Sequence, residues 1–351
     1  MSSPESTVSS PSSVRVVLGC NNFGVTSPPN CLFTSLYSPS TGFTNLKRHS
    51  SSYGSPGWLT LGPDGVLLAA DESVPGRLLV LDANDADLPL KDVKATGGHP
   101  CHAAYAEKHG CAVTCDYTGG TVTVVPLSVP GPTITLDHSV LYEKAGTGRA
   151  DRQESAHPHQ SVVVGDFLLV VDLGCSCVAS YHLPSVLGGE TTSPAHVYQA
   201  ERDYGCRHLA VVGGEDVYVV NELVSSLSHL KLEGNGRLSS VLKTIRLDAT
   251  APEETRDHHR GGGGIVSHGG KLYVTLRHTV EGKVAVVSLG AGGEPAVERV
   301  VGAGGECPRF VGVVGGNVVV CCQEAKRVVE VDVDRPPLEV GERVTAVIPL
   351  P

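Results

Sequence analysis

Short apolar runs separated by polar or glycine-bearing turns set the pattern of this chain. Six segments repeat it: GPDGVLLAADE, KHGCAVTCDY, VGDFLLVVDL, GGEDVYVVNE, HGGKLYVTLRH and GGNVVVCCQE. Each has a turn, then a β-branched or Leu-rich run, then a polar residue close behind it. They end at Glu72, Tyr117, Leu173, Glu222, His278 and Glu324, at intervals of 45 to 56 residues. Runs of this length and composition suit half-buried pleated strands. No stretch of ten or more residues carries a clean helical period with caps.

Each segment has an apolar partner just upstream, such as SPGWLTL, HPCHAAYA, HPHQSVVV, CRHLAVV and CPRFVGVV, with RGGGGIVS looser. Others follow downstream, such as GRLLVLDA, GTVTVVPL and KVAVVSLG. Tight turns between them carry Pro-Asp-Gly or Gly-Gly, the residues hairpins require. A unit of four short antiparallel strands at this period is a propeller blade. VRVVLGCNNFG at 14–24 lies one period before Glu72, and ERVTAVIPLP closes the chain. The pattern therefore predicts an all-β, seven-bladed β-propeller, with one blade closed by N- and C-terminal strands so that no sheet edge stays open. Residues 1–13, MSSPESTVSSPSS, read as a disordered Ser/Pro-rich tail, and 14–351 as a single propeller domain. The stretch 252–264 reads as an inserted loop and GGGG at 261–264 as a linker.

Blade geometry assigns positions to the polar residues. In a hairpin, the start of the first strand and the end of the second lie at the same end. If the upstream strand is innermost, one mouth of the channel gathers His102, His157, His159, Gln160, Arg207, His208 and Arg309 from strand starts. From strand ends it gathers Glu72, Tyr117, Asp172, Asn221, Glu222, Arg277, His278 and Gln323. Some of these have plainer roles open to them. A histidine before a strand is often a hydrogen-bonded turn residue, Asp172 and Asn221 could cap strand ends, and Arg207 with Glu222 could be a structural ion pair.

Charge and composition narrow the function classes. A formal net charge of -10 argues against nucleic-acid binding and against a polybasic membrane anchor. No apolar run approaches the length of a membrane-spanning helix, and the first residues lack an apolar leader. A soluble cytoplasmic protein, monomeric or weakly oligomeric, is the expectation. The 11 cysteines show no zinc-finger spacing and read as free thiols acting as small core hydrophobes. The mouth mixes arginines with few carboxylates, so no metal and no cofactor are expected. The RDHHR loop at 256–260 reads as solvated.

HPHQSVVVGDFLLVVDLGCSCVASYHL, GCRHLAVVGGEDVYVVNELVSSL and CHAAYAEKHGCAVTCDYTGGTVTVVPL resemble the seven-bladed lactonase family. That family includes propeller-type 6-phosphogluconolactonases and the 3-carboxy-cis,cis-muconate cyclase. The resemblance covers roughly residues 14–350. The family's His-x-His-Gln matches His157, His159 and Gln160, and its Asp-Leu-Gly matches Asp172 to Gly174. Its Pro-Arg-His-like element matches Arg207 and His208, with Cys206 in place of Pro, and its Asn-Glu matches Asn221 and Glu222. Its Asn-Arg is Leu276-Arg277 here, and its Pro-Arg-Asp-Phe is shortened to Pro308, Arg309 and Phe310. In the cyclase relatives a His, a Glu and arginines at these positions are the implicated groups.

Lactone hydrolysis needs a base for water, a stabiliser for the oxyanion and a proton for the leaving alkoxide. His159 or Glu222 is the expected base, with His157 beside them as a catalytic candidate. Arg207, Arg277 and Arg309 are expected to hold the substrate's anion, aided by His208, Gln160, Asn221 and His102. The substrate expected is a small anionic lactone, with 6-phosphogluconolactone, an intermediate of the pentose phosphate pathway, first among candidates. A muconate-type cycloisomerase and a non-catalytic binding scaffold are the alternatives, because fold alone does not fix chemistry.

Overall fold

The Val- and Leu-rich runs form strands buried at nearly every successive residue, as a sheet packed on both faces requires. The computed structural model describes residues 13–21, 32–49, 53–145, 148–248, 261–277 and 281–351. Among these the strands assemble into seven sheets of four strands each, every pairing antiparallel. The fold is a seven-bladed β-propeller. The stretch 252–260 of the expected loop, the RDHHR motif, His278 and nearly all of the expected N-terminal tail lie outside the described residues.

Blade 1 has Val344–Pro349 as its inner strand, followed outward by Val14–Cys20, Leu32–Ser38 and Gly42–His49. The two ends of the chain thus share one sheet, paired from Val16–Pro349 to Cys20–Val344. Blades 2 to 7 follow in chain order, with inner strands Pro56–Leu61, Pro100–Ala106, Pro158–Val164, Cys206–Val212, Gly262–His268 and Pro308–Val314. Each inner strand packs against the next around the ring, including blade 7 against blade 1. Among the described residues helix is confined to short connectors, chiefly Ser139–Ala145 and Leu183–Leu187.

The apolar core lies between neighbouring blades rather than at one centre. One cluster joins blades 3 and 4 through Val113, Val122, Leu168 and Tyr181. Another joins blades 5 and 6 through Tyr218, Leu227, Leu272 and Val287. Nine of the ten described cysteines are buried in these layers as free thiols. That arrangement leaves the central axis to be lined by whatever the inner strands present.

One expectation is corrected here. Residues 262–264 are not a linker but the first residues of the inner strand Gly262–His268 of blade 6. A side chain at Gly263 would meet Thr275 Oγ1 at 2.4 Å and the Pro308 carbonyl at 3.0 Å. The glycines are there because neighbouring blades approach closely, blade 5 through Val220 at Gly262 and blade 7 through Arg309 and Val311 at Gly264, which a composition-based reading mistakes for flexibility.

Candidate active site

All seven inner strands share one irregularity. Near its start each carries one residue more than the strand it pairs with, a β-bulge. The extra residue is Cys101, His159, Arg207 and Arg309 on blades 3, 4, 5 and 7, and Gly57 and Thr345 on blades 2 and 1. The residue after it is Trp58, His102, Gln160, His208 or Phe310 on blades 2, 3, 4, 5 and 7. A bulge re-aims side chains next to a strand end. Repeated around the ring, it turns these residues toward the axis. A third layer comes from the residue that follows each second strand, among them Glu72, Tyr117, Glu222 and Arg277.

The charged centre of the site is Glu222. Its carboxylate meets Arg152 Nη2 at 2.6 Å and Arg277 Nη2 at 2.9 Å on Oε1, and Arg207 Nη1 at 2.5 Å on Oε2. Glu222 is 1% exposed and Arg207 3%. Burial works to raise the Glu222 pKa, but Arg152, Arg277 and Arg207 outweigh it and hold the carboxyl well below the usual range. Arg207 is pushed down to about 10 by burial and by Arg277, with Glu222 opposing. Three guanidinium groups on one carboxylate leave the cluster with an excess of positive charge.

Arg309 does not join them. It pairs with Glu72 at 3.2 Å, and Asn21 Nδ2 donates to the other Glu72 oxygen at 2.5 Å. Gly57 makes the room, since a Cβ there would lie 2.2 Å from Glu72 Oε1. Burial raises the Glu72 pKa, with Arg309 acting against it.

Between the charged groups stands a set of uncharged imidazoles. His159 and His208 have ring centroids 5.1 Å apart. Burial first, then Arg207, lowers both pKa values well below the ordinary histidine value. His102 falls to about 3 through burial alone. His159 Nδ1, His208 Nε2 and the Nε of both Arg207 and Arg277 are buried without a hydrogen-bond partner. Buried polar atoms are nearly always satisfied in folded proteins, so four such atoms in one neighbourhood set this cluster apart from the rest of the fold.

Several expected site residues have other tasks. Asn221 is one residue short of the axis: its side-chain nitrogen donates to Ser226 and Ser228 hydroxyls within its own blade, and it is fully buried there. Strand alternation separates it from Glu222, so its expected contact with substrate is corrected to an internal brace. Asp172 is a brace of the same kind, accepting from the His157 and Cys175 amides and from His138 Nδ1. His157 Nδ1 donates to the Tyr117 carbonyl at 2.9 Å, its Nε2 lies 3.0 Å from Glu154, and its ring stacks on Tyr117. Both nitrogens are engaged, so His157 positions Tyr117 rather than serving as a base. Gln160 Oε1 accepts from the Leu209 amide at 2.6 Å and ties blade 4 to blade 5.

Sequence reasoning missed Arg152 and Trp58. Arg152 comes from the connection between blades 3 and 4, where no strand pattern points to it. Gln153 anchors that connection through bonds to the Leu173 carbonyl and the Ser176 hydroxyl. Trp58 had a signal: it occupies the same strand position as His102 and His208.

The axis of this seven-bladed propeller carries buried arginines around one carboxylate, beside neutral histidines. The profile of the family described as "Lactonase, 7-bladed beta-propeller" matches residues 34–347, and the chain belongs to that family. No curated protein sequence matches it. Among solved structures, it is similar to a candidate 6-phosphogluconolactonase of Bacteroides fragilis, at 18% identity and TM-score 0.79 over 99% of this chain and 100% of that one. It is likewise similar to the periplasmic gluconolactonase PpgL of Pseudomonas aeruginosa, at 20% identity and TM-score 0.79 over 97% and 99%. A protein from Lactobacillus plantarum matches at 20% identity and TM-score 0.82, over 97% and 100%. At such identities the likeness is one of fold.

Proposed function

We propose that this lactonase-family propeller hydrolyses a sugar lactone bearing an anionic group, with 6-phosphogluconolactone the substrate that suits the site best. The observation that carries the reading is the Glu222 cluster. Arg152, Arg207 and Arg277 outnumber their carboxylate beside a neutral His159 with an unpartnered Nδ1. A phosphate dianion offsets that excess, and paired guanidinium groups suit its geometry.

In this reading the His159 imidazole takes a proton from water as the oxygen attacks the lactone carbonyl. Guanidinium N–H groups of Arg207 and Arg277 stabilise the oxyanion. Collapse of the tetrahedral intermediate breaks the ring C–O bond, and the proton on His159 passes to the leaving alkoxide, giving the open hydroxy acid. Glu222, held ionised, is a poor base and acts as the anchor of the arginines. Substrate anion near Arg207 raises the His159 pKa toward neutrality, which couples binding to basicity. Four guanidinium groups around the axis repel a cation, so the chemistry proposed is metal-free. The same arginine count favours, as a second reading, a muconate-type cycloisomerase acting on a polycarboxylate.

The proposal includes action as a monomer or weak oligomer in the cytoplasm, without nucleic-acid or membrane partners. Among the described residues no helix is long and apolar enough to cross a membrane. The test is hydrolysis of freshly generated 6-phosphogluconolactone by wild type and His159→Ala against a no-enzyme blank. Activity above blank that the variant loses supports the reading. No activity above blank, with conversion of a muconate-type acid, replaces it by the second.

A further inference from the structure

The chain has a single tryptophan, Trp58, and its position is unusual for an inner-strand residue. Its ring does not stay with its own blade. It lies 4.4 Å from the His102 ring on the adjacent blade, 5.5 Å from His208 three blades away and 5.6 Å from Phe310 on blade 7. His102 and His208 are themselves 6.2 Å apart. A side chain that touches blades 3, 5 and 7 from blade 2 crosses the axis. Together these rings make a continuous aromatic layer across the channel, one residue deeper along the strands than Arg207 and Arg309.

This layer carries no charge, since its imidazoles stay neutral at physiological pH. The indole N–H is already engaged with the Thr60 hydroxyl at 3.2 Å, and Thr60 in turn donates to the Ala103 carbonyl at 2.6 Å. Trp58 is therefore fixed in orientation and offers a π surface rather than a donor. It also keeps part of its surface accessible, while His102, His159, Arg207, His208 and Glu222 are buried. A site with an apolar aromatic wall and a few convergent polar groups orients a ligand by matching both.

We propose that Trp58 closes the channel as the floor of the site and selects a cyclic ligand, whose ring lies on the aromatic layer while its anionic group reaches the arginines around Glu222. The proposal rests on the lactone reading and adds a consequence to it. The closed ring of the substrate is compact and presents a C–H face to the indole. The open-chain acid formed by hydrolysis loses that face, so the floor favours substrate over product.

The experiment compares a stable cyclic phosphosugar, glucose 6-phosphate, with open-chain 6-phosphogluconate and with inorganic phosphate. Binding is read by calorimetry for wild type, Trp58→Phe and Trp58→Ala, and by indole fluorescence for wild type, where the signal comes from Trp58 alone. Hydrolysis kinetics are run beside it, and melting curves confirm that the variants are folded. The expected result is that glucose 6-phosphate perturbs the fluorescence and binds more tightly than 6-phosphogluconate. Trp58→Ala should remove that preference and raise KM for the lactone about tenfold with kcat nearly unchanged, while Trp58→Phe should keep part of both. A folded Trp58→Ala protein with unchanged KM and an unchanged cyclic-to-open ratio overturns the proposal and leaves the lactone reading standing. A Trp58-dependent preference for the cyclic ligand in a protein that hydrolyses no lactone keeps the floor and overturns the reading. Absence of both overturns both.

Discussion

Arg152 Nη2 lies 2.6 Å from Glu222 Oε1, although the two residues are 70 positions apart, one in the connection between blades 3 and 4 and the other on blade 5. Arg207 and Arg277 reach the same carboxylate from two further directions. Glu222→Gln keeps the volume but removes the ionised carboxylate that Arg152, Arg207 and Arg277 share. Breaking a buried pair costs on the order of 3–5 kcal/mol, so the melting midpoint should fall by several degrees in low salt. Added inorganic phosphate should restore much of that loss by taking the carboxylate's place. Equal midpoints for wild type and variant in low salt would refute the anchor role of Glu222.

Arg152→Ala removes one of the cations without touching the inner strands. The KM for a phosphorylated lactone should rise by about tenfold or more, the worth of one charge-assisted hydrogen bond. The KM for the unphosphorylated gluconolactone should move by less than about twofold, since it carries no anion for Arg152 to meet. Equal effects on both substrates would count against Arg152 as an anion contact.

His159 bears on the pH profile. Burial and Arg207 hold its pKa well below the ordinary histidine value, so the free enzyme keeps the base form as pH falls through 6.5. The kcat/KM profile should therefore stay flat from pH 8 to about 6, where an unperturbed histidine base would already be losing activity. His159→Ala should lower kcat by about 10² to 10⁴-fold across that range. A break in the wild-type profile at the ordinary histidine value would exclude His159 in its present surroundings.

Asp172 should affect stability and leave KM alone. Although burial opposes it, bonds from His138, the Cys175 amide and the His157 amide hold its pKa below the usual aspartate value. A depressed carboxyl binds fewer protons folded than unfolded. Its contribution is full above the unfolded pKa of about 3.9 and disappears as pH falls through the folded value. Urea titrations should show wild-type stability declining more steeply below about pH 4 than that of Asp172→Asn, with the variant less stable by on the order of 1–3 kcal/mol at pH 7. Parallel curves would remove Asp172 from the acid response.

Gly57→Ala tests the smallest feature of the site. A Cβ there would lie 2.2 Å from Glu72 Oε1, so the carboxylate must leave Arg309. The substitution should weaken substrate affinity severalfold and lower the melting midpoint by several degrees, because Glu72 and Arg309 are largely buried and breaking a buried pair costs about 3–5 kcal/mol. Unchanged affinity would mean that the Glu72–Arg309 pair stands apart from the ligand.

Much of the blade plan was legible in the sequence because it rests on local rules. Short apolar runs, Gly-bearing turns and a period of about one blade are each written in neighbouring residues, and they named His159, Arg207, Glu222 and Arg277 as axis residues. The same rules failed where one residue of register mattered. Asn221 and Glu222 stand side by side in the chain, yet one braces its blade and the other faces the arginines. Pattern alone places both at a strand end, and the bulges of the inner strands are marked in the sequence by no more than a preceding Pro on blades 2, 3, 4 and 7. The glycines at 262–264 failed for a related reason, since the close approach of blades 5 and 7 explains them.

By itself, then, the amino-acid order determined that this chain folds into repeated four-stranded units and that polar side chains collect where the inner strands begin, because both follow from short-range alternation and turn chemistry. Only the closed ring decided which cation meets which anion. Arg152 reaches Glu222 from an irregular connection, Arg309 turns to Glu72, and Trp58 spans the axis to His208. Those pairings join residues dozens to hundreds of positions apart, and their geometry is fixed by the curvature of seven sheets around one axis, a quantity no local stretch of sequence contains.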